Sequence, residues 1–330
     1  MSLRTPICDM LNIEHPILLA GMGGVSYAEL AAAVSNAGGY GVLGMAGTSA
    51  KFIGEQMRRT RALTSRPFGV DLLAASPESL TEAVDVIIGE GASSFIAGLG
   101  VPMPIMAKLK AAGLKVMVVC GAVKHAVKAE QAGCDAVICQ GGEGGGHTGL
   151  VGTAPLVAQA VEAVKIPVIA AGGLYDGRGL AAALALGAQG VWMGTRFIAS
   201  SEAHAAQMYR DAIVAAHDED TIRTRCYSGK PMRVKKNPYV DGWEQRPQDI
   251  QPFPMQAAHS VRTGVIGGIG GQLEGLDIDS SCFAMGQSAG GVREVKPAAD
   301  LVADIMAEAH ASIARMAALQ TKSPAKASAQ

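Results

Sequence analysis

The chain has 330 residues, with 28 Lys and Arg against 29 Asp and Glu, so its formal net charge is −1; it is 49% hydrophobic, 17% charged and 4% aromatic. That apolar share argues against disorder, and near-neutrality without a clustered basic excess argues against a polyanion-binding protein, because neutralising phosphates needs one. Its 42 glycines, about 13% of the chain against a usual ~7%, point to many short connections and not to an aromatic-cored β-sandwich.

Six cysteines (Cys8, Cys120, Cys134, Cys139, Cys226, Cys282) show no CxxC and no regular spacing, which predicts buried, reduced thiols. The N-terminus has no apolar targeting core, and no run reaches the ~18 apolar residues of a membrane span. The expectation is a soluble, cytoplasmic protein with no membrane and no nucleic-acid partner.

Short apolar runs rich in β-branched residues alternate with longer stretches of helical period. A strand at 16–20 (PILLA) is followed by a helix at 27–37, a strand at 41–44 (GVLG) and a helix at 52–63. Next come a strand at 68–73 (FGVDLL), a helix at 79–89, a strand at 94–97 and a helix at 103–112. The rhythm continues with a strand at 115–120 (KVMVVC), a helix at 123–132, a strand at 136–139 (AVIC) and a helix at 156–164. It ends with a strand at 167–170 (PVIA), a helix at 177–186, a strand at 190–193 (GVWM) and a helix at 202–216.

Nearly uniform apolarity marks parallel strands covered on both faces. Eight β/α units in about 200 residues are the count of an α/β (β/α)8 barrel, a TIM barrel, with an open doubly wound sheet as the structural rival. Residues 1–217 are assigned to the barrel. The polar, Pro-punctuated segment 218–275 reads as an inserted smaller lid over the site. Residues 276–320 return the chain and add a C-terminal helix over 298–318, and 321–330 form a flexible tail.

In such a barrel the chemistry sits on the loops at the C-terminal ends of the strands. The loop after the first strand holds Ala20, Gly21 and Met22, and the third strand runs into Leu72, Leu73 and Ala74. After the seventh and eighth strands, at the usual phosphate site, stand Ala171, Gly172, Gly173 and then Gly194, Thr195. Their backbone N–H groups and the Thr195 hydroxyl suit a phosphate monoester. The chain has no Walker signature, and GMGG at 21–24 has the wrong spacing for a dinucleotide fingerprint. The expected ligand is therefore a mononucleotide-like phosphate such as FMN.

The loop after the sixth strand, QGGEGGGHTG (140–149), places Gln140, Gly145 and Glu143 on a long, mobile backbone that ends in His147. An imidazole at a strand mouth can hold or transfer a proton near neutrality, so His147 is the candidate catalytic residue. The other six histidines read as surface or structural. No spacing suggests a metal site. The turn MGQS (285–288) returns the chain toward the barrel mouth, where the Gln287 amide is placed to meet a flavin. The basic run 230–236 reads as a solvated face or as a contact for an anionic substrate tail, for example a CoA or carrier-protein phosphopantetheine.

The motifs PILLAGMGG (16–24), AAVSNAGGYGVLG (32–44), PFGVDLL (67–73), GGEGGGHTG (141–149), 167–197 and AMGQSAGG (284–291) together resemble the nitronate monooxygenase family. The same framework is similar to FMN-dependent enoyl-acyl-carrier-protein reductases and NADH:quinone reductases. The resemblance implies non-covalent FMN lined by Ala20, Gly21 and Met22, with Gln140 and Gly145 near it. It implies a phosphate held by Gly172, Gly173, Gly194 and Thr195, and a catalytic His147. Asp71 stands where Asn is common in the family, and SGKPMR (228–233) resembles a subgroup with acyl-CoA-related members.

The implied activity is oxidation of an alkyl nitronate with O2 to a carbonyl compound and nitrite. The rivals are an NAD(P)H-dependent reductase of an enoyl thioester or quinone, and a non-enzymatic flavin- or phosphate-binding barrel. The expected partners are a small-molecule substrate, O2 or NAD(P)H, and a second copy in a homodimer.

Overall fold

The structure, a computed structural model, describes residues 3–73, 77–267 and 270–319; Ala74 and the tail 321–330 lie outside the described residues. The eight apolar runs become strands β1 (Ile17–Leu19), β2 (Gly41–Gly44), β3 (Phe68–Leu73), β4 (Ser94–Gly98), β5 (Lys115–Cys120) and β6 (Ala136–Gln140), then β8 (Val168–Ala171) and β9 (Gly190–Met193). Between them a two-residue strand, β7 (Gly146–His147), joins a different sheet. The eight are all parallel, in the order β1-β9-β8-β6-β5-β4-β3-β2. The two edges meet where Leu19 N–H donates to Tyr40 O (2.9 Å) and Tyr40 N–H to Ile17 O (2.9 Å). That contact closes the sheet into a (β/α)8 barrel.

Side-chain alternation fills both faces. Leu18, Val42, Ile96, Met117, Ile138, Ile169 and Trp192 pack together inside the barrel. Their neighbours Leu19, Leu43, Phe95, Val118, Val137, Val168 and Val191 pack against the helices outside. The barrel floor is closed by a helix absent from the periodicity, α1 (Pro6–Leu11), whose Ile7, Cys8 and Leu11 join the interior cluster. Its six residues are too few to show a repeat. Ile138 is fully buried there, and Ile138→Ala is expected to cost about 2–5 kcal/mol, read from the urea midpoint at constant m-value. A loss under 1 kcal/mol would mean that the interior collapses around the gap.

The surrounding helices are α2 (Ala28–Asn36), α3 (Ala50–Leu63), α4 (Pro77–Gly89), α5 (Met106–Ala111), α6 (Val123–Gln131), α7 (Thr153–Ala163), α8 (Gly177–Ala185), the short α9 (Thr195–Ile198) and α10 (Gln207–Val214). The helix expected over 202–216 begins only at Gln207. Tertiary hydrogen bonds hold the preceding residues in a turn and loop: Ala298 N–H donates to the Glu202 carboxylate (3.0 Å), Ser201 N–H to Lys296 O (3.1 Å), and His204 bonds Gly24 O (2.9 Å).

Segment 218–275 contributes β10 (Thr221–Thr224), β11 (Met232–Lys235), α11 (Pro238–Glu244) and α12 (Met255–Arg262). It has its own small core of Cys226, Tyr227, Met232, Val234, Val240 and Ile250. β10 and β11 pair antiparallel, and β11 pairs with β7, opposing Met232 to His147. A final helix, α13 (Ala298–Ala318), packs on α8 and α2. No helix among the described residues is long and apolar enough to cross a membrane.

Candidate active site

The inward positions at the C-terminal ends of the strands carry Ala20, Asp71, Gln140 and Ala171. Met22 and Gly194 adjoin Ala20: a Cβ on Gly194 would lie 3.2 Å from Met22 Sδ and 3.4 Å from Ala20 Cβ. Gly21 passes so close to Asp71 that a Cβ there would overlap its side chain. Asp71 is buried, and its carboxyl makes no hydrogen bond among the described residues. Burial pushes that carboxyl well above the usual carboxylate range, favouring the protonated form. Sequence reasoning noticed Asp71 only as a departure from the family pattern; its inward phase on β3 was the available signal.

The glycine-rich loop after β6 is tied down along its length, contrary to the mobile backbone expected. Gly142 N–H donates to Val151 O (2.8 Å), Gly144 N–H to Gly141 O (3.0 Å) and the Thr148 hydroxyl to Gly141 O (2.8 Å). From the lid, Arg233 Nε donates to Gly142 O (2.8 Å). Gln140 spends its amide N–H groups on His147 O (2.9 Å) and Gly145 O (3.4 Å), tying the barrel mouth to the histidine strand. Glu143 accepts from Thr153 N–H (2.9 Å) and the Thr153 hydroxyl (2.9 Å), capping α7. Its role is structural. Glycine content announced conformational freedom, but backbone bonding used it to make a rigid shape.

His147 Nε2 lies 2.9 Å from Ser228 Oγ, and Ser228 is buried in the lid. The serine hydroxyl also donates to Lys230 O (3.1 Å). With its proton on that carbonyl, it accepts from His147 Nε2–H and leaves Nδ1 as a free base. Burial, and then the nearby Lys230 ammonium, hold the imidazolium below the ordinary histidine range, so the ring is neutral at neutral pH. Lys230→Met removes the like charge and is expected to raise the His147 pKa toward its ordinary value. Ring NMR titration reads this; an unchanged or lower pKa would show that Lys230 exerts no field there. Ser228 was missed because its contact spans 81 residues of chain.

The loops after β8 and β9 share one property. The backbone N–H groups of Gly172, Gly173, Gly194 and Thr195 donate to nothing among the described residues. Gly172 and Gly173 have φ of 99° and 73°, left-handed conformations that other residues resist. The Thr195 hydroxyl accepts from Gly286 N–H (2.9 Å), and Gly145 abuts Gly286 closely enough that a Cβ would lie 2.7 Å from its nitrogen. Gln287 is exposed at a cavity of about 330 Å³ that it lines together with Gly172 and Gly173. Its backbone N–H donates to Glu143 O (2.9 Å).

The six cysteines are buried and unpaired, and burial pushes Cys134 up to about 11 and Cys139 up to about 12. Neither of these two is a thiolate near neutrality. Among the described residues no group of three His, Cys, Asp or Glu side chains gathers as a metal site.

A closed (β/α)8 barrel with a histidine and a set of N–H groups left unspent among the described residues at its C-terminal mouth has the layout of a barrel enzyme that binds an anionic group. The chain belongs to the nitronate monooxygenase family, whose model matches residues 4–84 and 79–308. It is 42% identical over 243 residues, 74% of this chain and 69% of the relative, to the (3aS,4S,5R,7aS)-5-hydroxy-7a-methyl-1-oxo-octahydro-1H-indene-4-carboxyl-CoA dehydrogenase of Rhodococcus jostii. It is 35% identical over 298 residues, 77% of this chain and 84% of the relative, to a probable nitronate monooxygenase of Staphylococcus aureus. The solved structure of FabK from Thermotoga maritima superposes with a TM-score of 0.88 at 39% identity, covering 96% of this chain and 99% of that one.

Proposed function

We propose that the protein is an FMN-dependent oxidoreductase that interconverts an enoyl thioester and its saturated acyl form, with NAD(P)H as redox partner. A flavin is typical of the family. The residues present fit it: four unspent N–H groups await an anion, and the inward Ala20, Met22 and Ala171 leave an apolar floor for a flat ring.

The observation that carries the thioester reading is the junction of His147 with Ser228 and Lys230. One lid loop positions the base and brings a cation beside it. The 42%-identical relative named as a carboxyl-CoA dehydrogenase supports the same substrate class. FMN, when bound, supplies hydride transfer.

The chain's own residues do the rest. Gly172, Gly173, Gly194 and Thr195 hold the phosphate. His147 Nδ1 handles the proton at the thioester Cα: the neutral ring takes it when the acyl form is oxidised, and when the enoyl form is reduced the ring first takes a proton from solvent at Nδ1 and then gives it to Cα. The paired strands β7 and β11 cover the site and exclude water.

A second reading, oxidation of alkyl nitronates with O2, is favoured by the family match and by the probable nitronate monooxygenase from Staphylococcus aureus. There His147 orients the anionic nitro oxygens. Anaerobic photometry separates the two. The expected result is a yellow protein that NADH or NADPH bleaches and an enoyl-CoA recolours. Bleaching by ethylnitronate alone would overturn the thioester reading in favour of the second.

A further inference from the structure

Outside the barrel mouth a second cavity, of about 370 Å³, opens between α2, α3 and the loop at 200–206. Its volume is in the range of small-ligand sites. Tyr27 is flanked by Phe52 at 5.3 Å and His204 at 4.8 Å between ring centroids, so three aromatic rings line it. Gln56 also lines it and is 8% exposed. Its Oε1 accepts from Ala28 N–H (3.1 Å), while its amide N–H groups donate to nothing among the described residues. Nε2 is not one of the buried atoms left without a partner, so these donors face the open cavity, where a ligand can take them.

The rest of the lining includes His204 and Arg59, and its two carboxylates are already engaged, Glu29 by Arg59 and Glu202 by Ala298 N–H. His204 Nδ1 is 2.9 Å from Gly24 O. A carbonyl only accepts, so the ring proton sits on Nδ1 and Nε2 is left as an acceptor. At the rim Arg59 pairs with Glu29 through one guanidinium nitrogen, and its other donors suit a phosphoryl group. The cavity adjoins the reaction site: Gly24 ends the loop that begins with Gly21 and Met22, and lid residue Gly271 abuts both Gly24 and the Tyr27 hydroxyl.

The geometry points to an adenine nucleotide moiety as the ligand of this cavity. Gln56 offers the donor and acceptor pair that reads an adenine edge, with the second lone pair of Oε1 taking the exocyclic amine and Nε2–H reaching a ring nitrogen. The aromatic walls give faces for the base, as stacking platforms do in nucleotide-binding proteins. Both CoA and NAD(P)H carry this group. That such a molecule reaches from here to the barrel mouth rests on the function proposed above; the cavity's preference for the base does not.

The test is calorimetric titration of the holoenzyme with AMP, CoA and NAD+, followed by competition. AMP is expected to bind and to displace one of the other two: displacement of CoA identifies the thioester carrier as the source, displacement of NAD+ the dinucleotide. Gln56→Glu keeps the acceptor for Ala28 N–H but removes the amide donors, and is expected to weaken AMP about tenfold. Phe52→Ala, at a half-buried position, provides an independent loss of a ring face. Failure of all three ligands to bind, or AMP affinity unchanged in both variants, overturns the proposal. AMP binding without thioester turnover would sink the proposed reaction and leave this site standing.

Discussion

His147→Ala is expected to retain bound flavin and to lose about 10²–10⁴-fold in turnover, the range for removal of a positioned acid or base. The size follows from how the imidazole is held. Its ring is fixed through Ser228, its backbone through Gln140 and the β7–β11 ladder, and its charge state through burial and Lys230. Without the ring, the β7–β11 ladder survives, so the site keeps its shape and loses its base. Steady-state kinetics beside the flavin absorbance of the purified variant measure both halves. Turnover within threefold of the parent would remove the assigned role. Lost flavin with lost turnover would make His147 a scaffold residue.

Gly172→Val is expected to weaken FMN by at least ~100-fold while changing riboflavin far less. A Cβ at Gly172 would stand 2.9 Å from Thr153 Oγ1, 3.0 Å from Gly141 O and 3.1 Å from Gly144 N, at a φ of 99° that a β-branched residue resists. Relief requires the turn to rotate, which swings the N–H groups of Gly172 and Gly173 away from any phosphoryl oxygen. Each charge-assisted hydrogen bond lost costs about 1.5–3 kcal/mol, and two of them give roughly the stated factor. Flavin fluorescence quenching gives both affinities. Equal losses for FMN and riboflavin would place the phosphate elsewhere.

The barrel was legible because its signal is repetitive. Each of the eight runs is a parallel strand, and those at 41–44, 68–73, 115–120 and 190–193 end where the periodicity ended. The helix at 298–318 shows the same agreement, since its apolar stripe is long enough to show its period. Legibility fell where local pattern competed with distant partners. Residues 202–206 have helical composition, yet Glu202 caps α13 and His204 bonds Gly24, so the helix starts late. That shift also took His204 from a helix surface to the wall of a cavity.

Fold, family resemblance and the candidate histidine were determined by the sequence alone, because periodicity and motif spacing are local properties carried in the order of residues. The tertiary structure decided which hydrogen-bond donors remain unspent among the described residues, at Gly172, Gly173, Gly194, Thr195 and Gln56, and left the buried Asp71 carboxyl without a hydrogen bond among them. It also decided that a serine 81 residues away orients His147. Satisfaction of a polar group is a sum over every neighbour in space, and that sum exists only once the chain has closed.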